Sequence, residues 1–146
     1  MRVTLDASVF VSAYLASDVH HTESVSLLGR LIEVKIGLNA PVLVLAEVAA
    51  ALARNTRDPK RGLAGKEMLE QTPHLQLYPL SLPLGISAAA LASAHFLRGA
   101  DAVYVALASS MGSVLVTWDH EMWQRGSAAT VTLTPTEWLS HPPTDN

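Results

Sequence analysis

The chain has 146 residues, 49% of them apolar, 16% charged and 5% aromatic, which suits one domain with a largely aliphatic core and is too apolar for a disordered segment. A net charge of −3 excludes a simple basic nucleic-acid binder, so a nucleic-acid partner needs a local cationic patch or a bound metal. The absence of cysteine removes disulfide scaffolds, thiolate zinc sites and cysteine nucleophiles together, and fits a reducing cytoplasm. No apolar run approaches the roughly 18 residues of a membrane span, and Asp6 places a charge before any signal-peptide core can form.

Residues 3–5 read as a short strand ended by Asp6, after which Val9, Phe10, Ala13 and Tyr14 follow helical spacing to about Ala16. A second helix is predicted over residues 22–35, with Val25, Leu28, Leu31, Ile32 and Ile36 on its apolar face and Gly37 as its stop. A short strand or turn near Leu38 leads into a third helix over residues 41–54, because proline at position 41 is at home in a first helical turn. Residues 56–62 read as a polar loop, 63–70 as a short helix and 75–80 as a strand. Pro83 and Gly85 open a helical stretch to about Leu97, and Gly99 breaks it before a helix over 101–111. A buried-type strand over 114–117, a short helix over 119–124 and a last strand over 131–133 follow. Residues 1–140 are thus expected to form one domain, with 141–146 a flexible tail. Short apolar strands alternating with helices predict an α/β layer fold with a mostly parallel sheet covered on both faces. Ligand sites in such folds lie at the carboxyl ends of the strands.

Four carboxylates fall at or near those ends. Asp6 follows the first strand, Asp119 follows the strand over 114–117, and Asp101 opens the helix before that strand. Glu47 is the one charged residue in the apolar segment from Ala40 to Ala53. Singly, each aspartate also reads as a helix N-cap, and Glu47 as the solvent mark of an apolar helix. Together they point further. A helix apolar on nearly all sides is usually buried, and a buried carboxylate is costly unless paired, protonated or bound to a cation. Ala46, Ala50 and Ala51 leave room beside Glu47. In sequence, only Arg98 lies near any of the aspartates, next to Asp101. Converging carboxylates without fixed counter-ions describe a site for a hard cation such as Mg²⁺ or Mn²⁺.

The segments Leu5-Asp6-Ala7-Ser8, Leu45-Ala46-Glu47-Val48, Arg98-Gly99-Ala100-Asp101-Ala102 and Val116-Thr117-Trp118-Asp119, in this order and spacing, resemble those of PIN-domain ribonucleases. The VapC-type toxins of toxin–antitoxin pairs are the most similar group. The resemblance spans residues 2 to about 139. It implies an α/β/α sandwich, metal-dependent endoribonuclease activity with Mg²⁺ or Mn²⁺, a homodimer, and a small antitoxin that covers the site. Carried onto this chain, it makes Asp6, Glu47 and Asp101 the central acids and Asp119 a fourth that contributes directly or through water. Ser8 and Thr117 match hydroxyl positions near the metal, and also read as local hydroxyl-to-backbone bonds. Position 123, an acid in some relatives, is tryptophan.

Arg54, Arg57, Lys60, Arg61 and Lys66 give residues 54–66 a net charge of +4 directly after the Glu47 helix. They read either as phosphate contacts for RNA or as a solvated loop and helix end. Arg98 reads as a phosphate contact or as a partner of Asp101. His20 and His21 are adjacent and poorly placed to share one ion, and there is no nucleophile elbow or glycine-rich phosphate loop. The function expected is a metal-dependent endoribonuclease toxin acting on RNA. The alternative is a non-catalytic PIN-like module that binds RNA or protein.

Overall fold

The structure, a computed structural model, describes residues 1–142. Its five strands are β1 (Arg2–Leu5), β2 (Gly37–Pro41), β3 (Leu75–Tyr78), β4 (Val114–Val116) and β5 (Thr132–Leu133). They form one sheet in the order β3-β2-β1-β4-β5, and every neighbouring pair is parallel. The helices among the described residues are α1 (Ala7–Tyr14), α2 (His21–Glu33), α3 (Val44–Thr56), α4 (Pro59–Glu70), α5 (Leu82–His95), α6 (Gly99–Met111), α7 (His120–Gly126) and α8 (Pro135–Ser140). The architecture is an α/β/α sandwich, as expected.

The inner strands are buried on both faces: Val3, Leu5, Leu38, Ala40, Leu115 and Val116 are inaccessible to solvent. Continuous apolar strands of this kind are the pattern of a parallel sheet roofed by crossover helices. The strand order reverses at β1, which pairs with β2 on one side and β4 on the other. Right-handed crossovers put the turns after β1 and β4 on one edge, so a crevice opens between them. Asp6 follows β1 and Asp119 follows β4.

Helix α6 carries the longest buried run, Asp101 to Ala108, although both its ends are exposed. The helix of Glu47, α3, is only half-buried. Val44, Val48 and Leu52 face the core, while Ala46 and Ala50 are open to solvent. The expectation of burial from an apolar sequence fails for α3 because its outward apolar residues are alanines, which cost little when exposed.

Other boundaries differ for local reasons. Pro41 ends β2 instead of opening α3, and proline is tolerated there because the pairing of β2 with β1 has already ended at Asn39. The helix expected over 63–70 begins at Pro59, where the Asp58 side chain accepts the Lys60 amide at 2.9 Å. The break before α6 falls at Phe96, which adopts left-handed φ, and Gly99 is the first residue of α6. On α2, Leu27 takes the buried place expected of Val25, which is 47% exposed. Helix α8 was missed, although Thr134-Pro135-Thr136-Glu137 carries a capping box that marks its start. The tail expected over 141–146 lies mostly outside the described residues.

Helices α3 and α4 approach closely through two glycines. A Cβ on Gly62 would stand 2.6 Å from the Ala49 carbonyl oxygen, and one on Gly65 would meet the Leu52 side chain. The Ala49 contact is with backbone and cannot move aside without displacing α3, and Glu47 with it. Gly62→Ala is therefore expected to lower stability by about 1–3 kcal/mol. Gly29→Ala, on an open face of α2 with nothing within 4 Å, is expected to raise it by about 0.4–1 kcal/mol. Urea unfolding of the two variants checks the contrast.

Candidate active site

Asp6 is buried where β1 meets α1. It occupies the N-cap position of α1 but makes no side-chain capping bond. Its Oδ2 instead accepts hydrogen bonds from Ser8 Oγ at 2.6 Å and Thr117 Oγ1 at 2.8 Å. Each hydroxyl also accepts a backbone amide, Trp118 N–H at Ser8 and Asp119 N–H at Thr117. The hydroxyl-to-backbone reading therefore holds, and the same hydroxyls also aim Asp6.

Asp119 does cap a helix, since its Oδ1 accepts the Met122 amide at 2.8 Å. Its Oδ2 accepts Arg98 Nη2 at 2.5 Å, and Arg98 Nε donates to Asp101 Oδ2 at 2.7 Å. The cap of α6 is Arg98, and Asp101 lies in its first turn. The expectation that these acids lack counter-ions is corrected in part. Arg98 is remote from Asp119 in sequence, but the return of β4 to the centre of the sheet brings them together. Glu121 is half-exposed and paired with Arg125, with Arg98 Nε 3.9 Å away.

Glu47 extends from α3, and its Oε2 accepts a hydrogen bond from the Tyr104 hydroxyl. Tyr104 escaped the sequence reading. The available signal was its spacing: it lies three residues after Asp101, on the same face of a helix otherwise aliphatic through Ala108. Burial keeps its phenol protonated, and the nearby charges of Asp6 and Glu47 push the same way.

These side chains line one open cleft of about 590 Å³, bounded by Asp6, Ser8, Glu47, Arg54, Asp101 and Asp119, with Ala46, Ala50, Ala51 and Ala100 between them. The alanines keep the cleft wide, as expected. Of the basic run, Arg54 alone borders it, two helical turns from Glu47 on the same face, and it makes no ion pair among the described residues. Arg57 adopts left-handed φ past the end of α3. Lys60 and Arg61 lie on exposed α4, and Lys66 pairs with Glu70. Trp118 is stacked on His20, with ring centroids 3.8 Å apart, and donates to Ser24 Oγ. That leaves its indole packed against α2.

Burial raises the Asp6 carboxyl above the usual carboxylate range, against the pull of Ser8 and Thr117. Glu47 is also raised, by burial and then by repulsion from Asp6 and Asp101, despite the Tyr104 bond. Asp101 is raised by burial, with Arg98 opposing. Asp119 shifts the other way. Partial burial works against its ionisation, but the Met122 amide and Arg98 outweigh it. Three mutually repelling oxygen donors on one cleft fit a hard divalent cation in chemistry. Among the described residues no three acidic or histidine side chains form a finished ligand set.

The sequence matches the PIN domain family over residues 3–126, and the chain belongs to that family. No curated protein matches it. Solved structures share its fold at low identity. VapC20 of Mycobacterium tuberculosis, a sarcin–ricin loop cleaving toxin, aligns with a TM-score of 0.71 at 19% identity, covering 88% of this chain and 96% of that one. VapBC2 of Rickettsia felis, bound to promoter DNA, aligns at 0.72 with 14% identity, covering 92% and 98%. A toxin–antitoxin complex from Klebsiella pneumoniae aligns at 0.63 with 14% identity, covering 91% and 97%.

A carboxyl whose pKa is raised by folding contributes stability at pH below its unfolded value, and that contribution is lost as pH rises through the raised value. This is the sign for Asp6, Glu47 and Asp101, whereas the contribution of Asp119 is lost as pH falls. Asparagine at position 6 keeps an oxygen for Ser8 and Thr117 but carries no charge. In EDTA, Asp6→Asn is therefore expected to be more stable than wild type by about 0.5–2 kcal/mol near neutral pH. The gap should close as pH falls toward about 4. Thermal melts across that range check it. A variant that melts lower at every pH would mean that its hydrogen bonds, not its charge, dominate at Asp6.

Proposed function

We propose that the protein is a metal-dependent endoribonuclease and the toxin of a toxin–antitoxin pair, acting in the cytoplasm. The observation that carries this reading is the cleft itself: burial raises Asp6, Glu47 and Asp101, neighbouring carboxylates raise Glu47 and Asp101 further, and the space they line is bordered by Arg54, which makes no ion pair among the described residues. A structural cluster would be closed and neutralised; this one is open on the side where a polyanion can enter. Asp6, Glu47, Asp101 and Asp119 would hold Mg²⁺, with Mn²⁺ able to substitute. The ion supplies an activated water and stabilises charge on the scissile phosphate.

The protein's own groups complete the chemistry. Ser8 and Thr117 fix Asp6, and Tyr104 engages one oxygen of Glu47, leaving Oε1 for the cleft. Arg54 gives a backbone phosphate a bidentate partner. Arg57, Lys60 and Arg61 extend positive charge beyond the cleft and add salt-sensitive affinity for RNA. No helix among the described residues is long and apolar enough to cross a membrane. The outward face of α5, with Leu82 and Ile86 exposed and Phe96 just beyond, supports a homodimer. The likeness to a toxin–antitoxin complex supports an antitoxin partner, and the anionic cleft is complementary to an inserted arginine or lysine.

Purified protein is expected to cut RNA internally with Mg²⁺ or Mn²⁺ and to stop with EDTA. Asp6→Asn, Glu47→Gln and Asp101→Asn are each expected to lose more than about a hundredfold, because outer-shell changes alone cost about 10–100-fold. Tyr104→Phe should fall in that milder range. Gel-based cleavage of a labelled RNA measures all four. Cleavage that persists in EDTA would overturn the metal mechanism, and RNA or protein binding without cleavage would favour the non-catalytic module.

A further inference from the structure

Arg98 differs from a buried structural arginine. Its side chain is 58% exposed, while those of Asp101 and Asp119 are 12% and 29% exposed. It binds the same-named oxygen, Oδ2, of both acids, at 2.7 and 2.5 Å. Neither acid needs it for placement. Asp119 is held at Oδ1 by the Met122 amide, and Asp101 is carried on α6, which is shielded from Asp101 through Ala108. Glu121, the third acid within reach, already has Arg125. The Arg98 side chain already lies largely in solvent, and its neighbours Gly99 and Ala100 are exposed. The guanidinium therefore has somewhere to go, and its departure would bare two carboxylate oxygens in the cleft without releasing the carboxylates.

We propose that Arg98 is a displaceable internal cation: it occupies Asp101 Oδ2 and Asp119 Oδ2 in the metal-free protein, and an arriving divalent ion evicts it toward the cleft mouth. This rests on the reading of the acids as a cation site. The arginine end of both contacts is exposed to competing water, and a divalent ion brings twice the charge to the same carboxylate oxygens. The guanidinium stays charged throughout, so eviction is a competition between cations and not a titration. Once released, Arg98 joins Arg54 as a second guanidinium beside the cleft, where backbone phosphate can take it up. The metal-free protein thereby avoids a bare acidic pocket, and ion binding and exposure of a phosphate contact become one event.

The test measures Mn²⁺ binding to metal-free wild type, Arg98→Gln and Arg98→Lys by calorimetry, without RNA. Removing the competitor is expected to tighten Mn²⁺ binding by on the order of tenfold in Arg98→Gln, with Arg98→Lys nearer wild type. In parallel, the Arg98 Nε–H resonance of wild type is expected to move, on saturation with Mg²⁺, to the position of solvent-exposed arginines. Equal or weaker Mn²⁺ binding by Arg98→Gln, or an Nε–H signal unmoved at saturation, would overturn the eviction while leaving the metal site standing. No Mn²⁺ binding by any of the three proteins would remove the metal site and the eviction with it. Should Arg98→Gln fold poorly, Arg98→Lys and the wild-type resonance decide the question.

Discussion

The burial of one carboxylate, Asp6, organises the acidic cleft of this protein. It sits where β1 ends, at the point where the strand order reverses, and it is shielded from solvent. A carboxylate in that position needs donors, and they come from two chain segments over a hundred residues apart. Ser8 is on α1 and Thr117 follows β4. The same two hydroxyls accept amides of the turn that carries Trp118 and Asp119. Holding Asp6 therefore also sets the geometry of Asp119. The sheet register that pairs Leu5 with Val116 makes this network possible.

The arrangement works against stability in a specific way. Three acids are pushed above their usual pKa by burial and, for Glu47 and Asp101, also by the charges of neighbouring aspartates. Ordinary core design would replace such a group with apolar residues or close it with fixed partners. Here the closing is partial. Arg98 answers Asp101 and Asp119 from an exposed position, and Tyr104 answers Glu47 with a single hydrogen bond. Asp6 receives only neutral donors among the side chains. What remains is an excess of negative charge on one cleft, the condition in which a divalent cation contributes most.

Packing some distance from the acids sets their spacing. Glu47 reaches the cleft because α3 leans on α4 through Gly62 and Gly65, where side chains would hold the helices apart. Tyr104 meets it from α6, which is shielded from Asp101 through Ala108. The alanines of α3 then act as clearance, since larger side chains at Ala46 or Ala50 would fill the cleft that they line. A rigid buried helix on one side and a small-residue face on the other explain how a wide site stays well defined.

Much of this was legible from local pattern. Short apolar strands, alternation with helices and carboxylates at strand ends led to the layered fold and to Asp6, Glu47, Asp101 and Asp119, because such periodicities span only a few residues. Ser8 and Thr117 were singled out by the resemblance to the PIN family, and their hydrogen bonds to Asp6 place them beside the acids. The pairing of Arg98 with Asp119 was not legible, nor was the bond from Tyr104 to Glu47, since each joins residues that meet only after the sheet has assembled. Exposure was misjudged for the same reason: composition made α3 resemble a buried helix, and only its position at the cleft left Ala46 and Ala50 uncovered. Of the five cations after Glu47, the sequence could not single out Arg54. The 3.6-residue period returns position 54 to the face of Glu47, but that this face lines the cleft depends on how α3 packs against the rest of the fold.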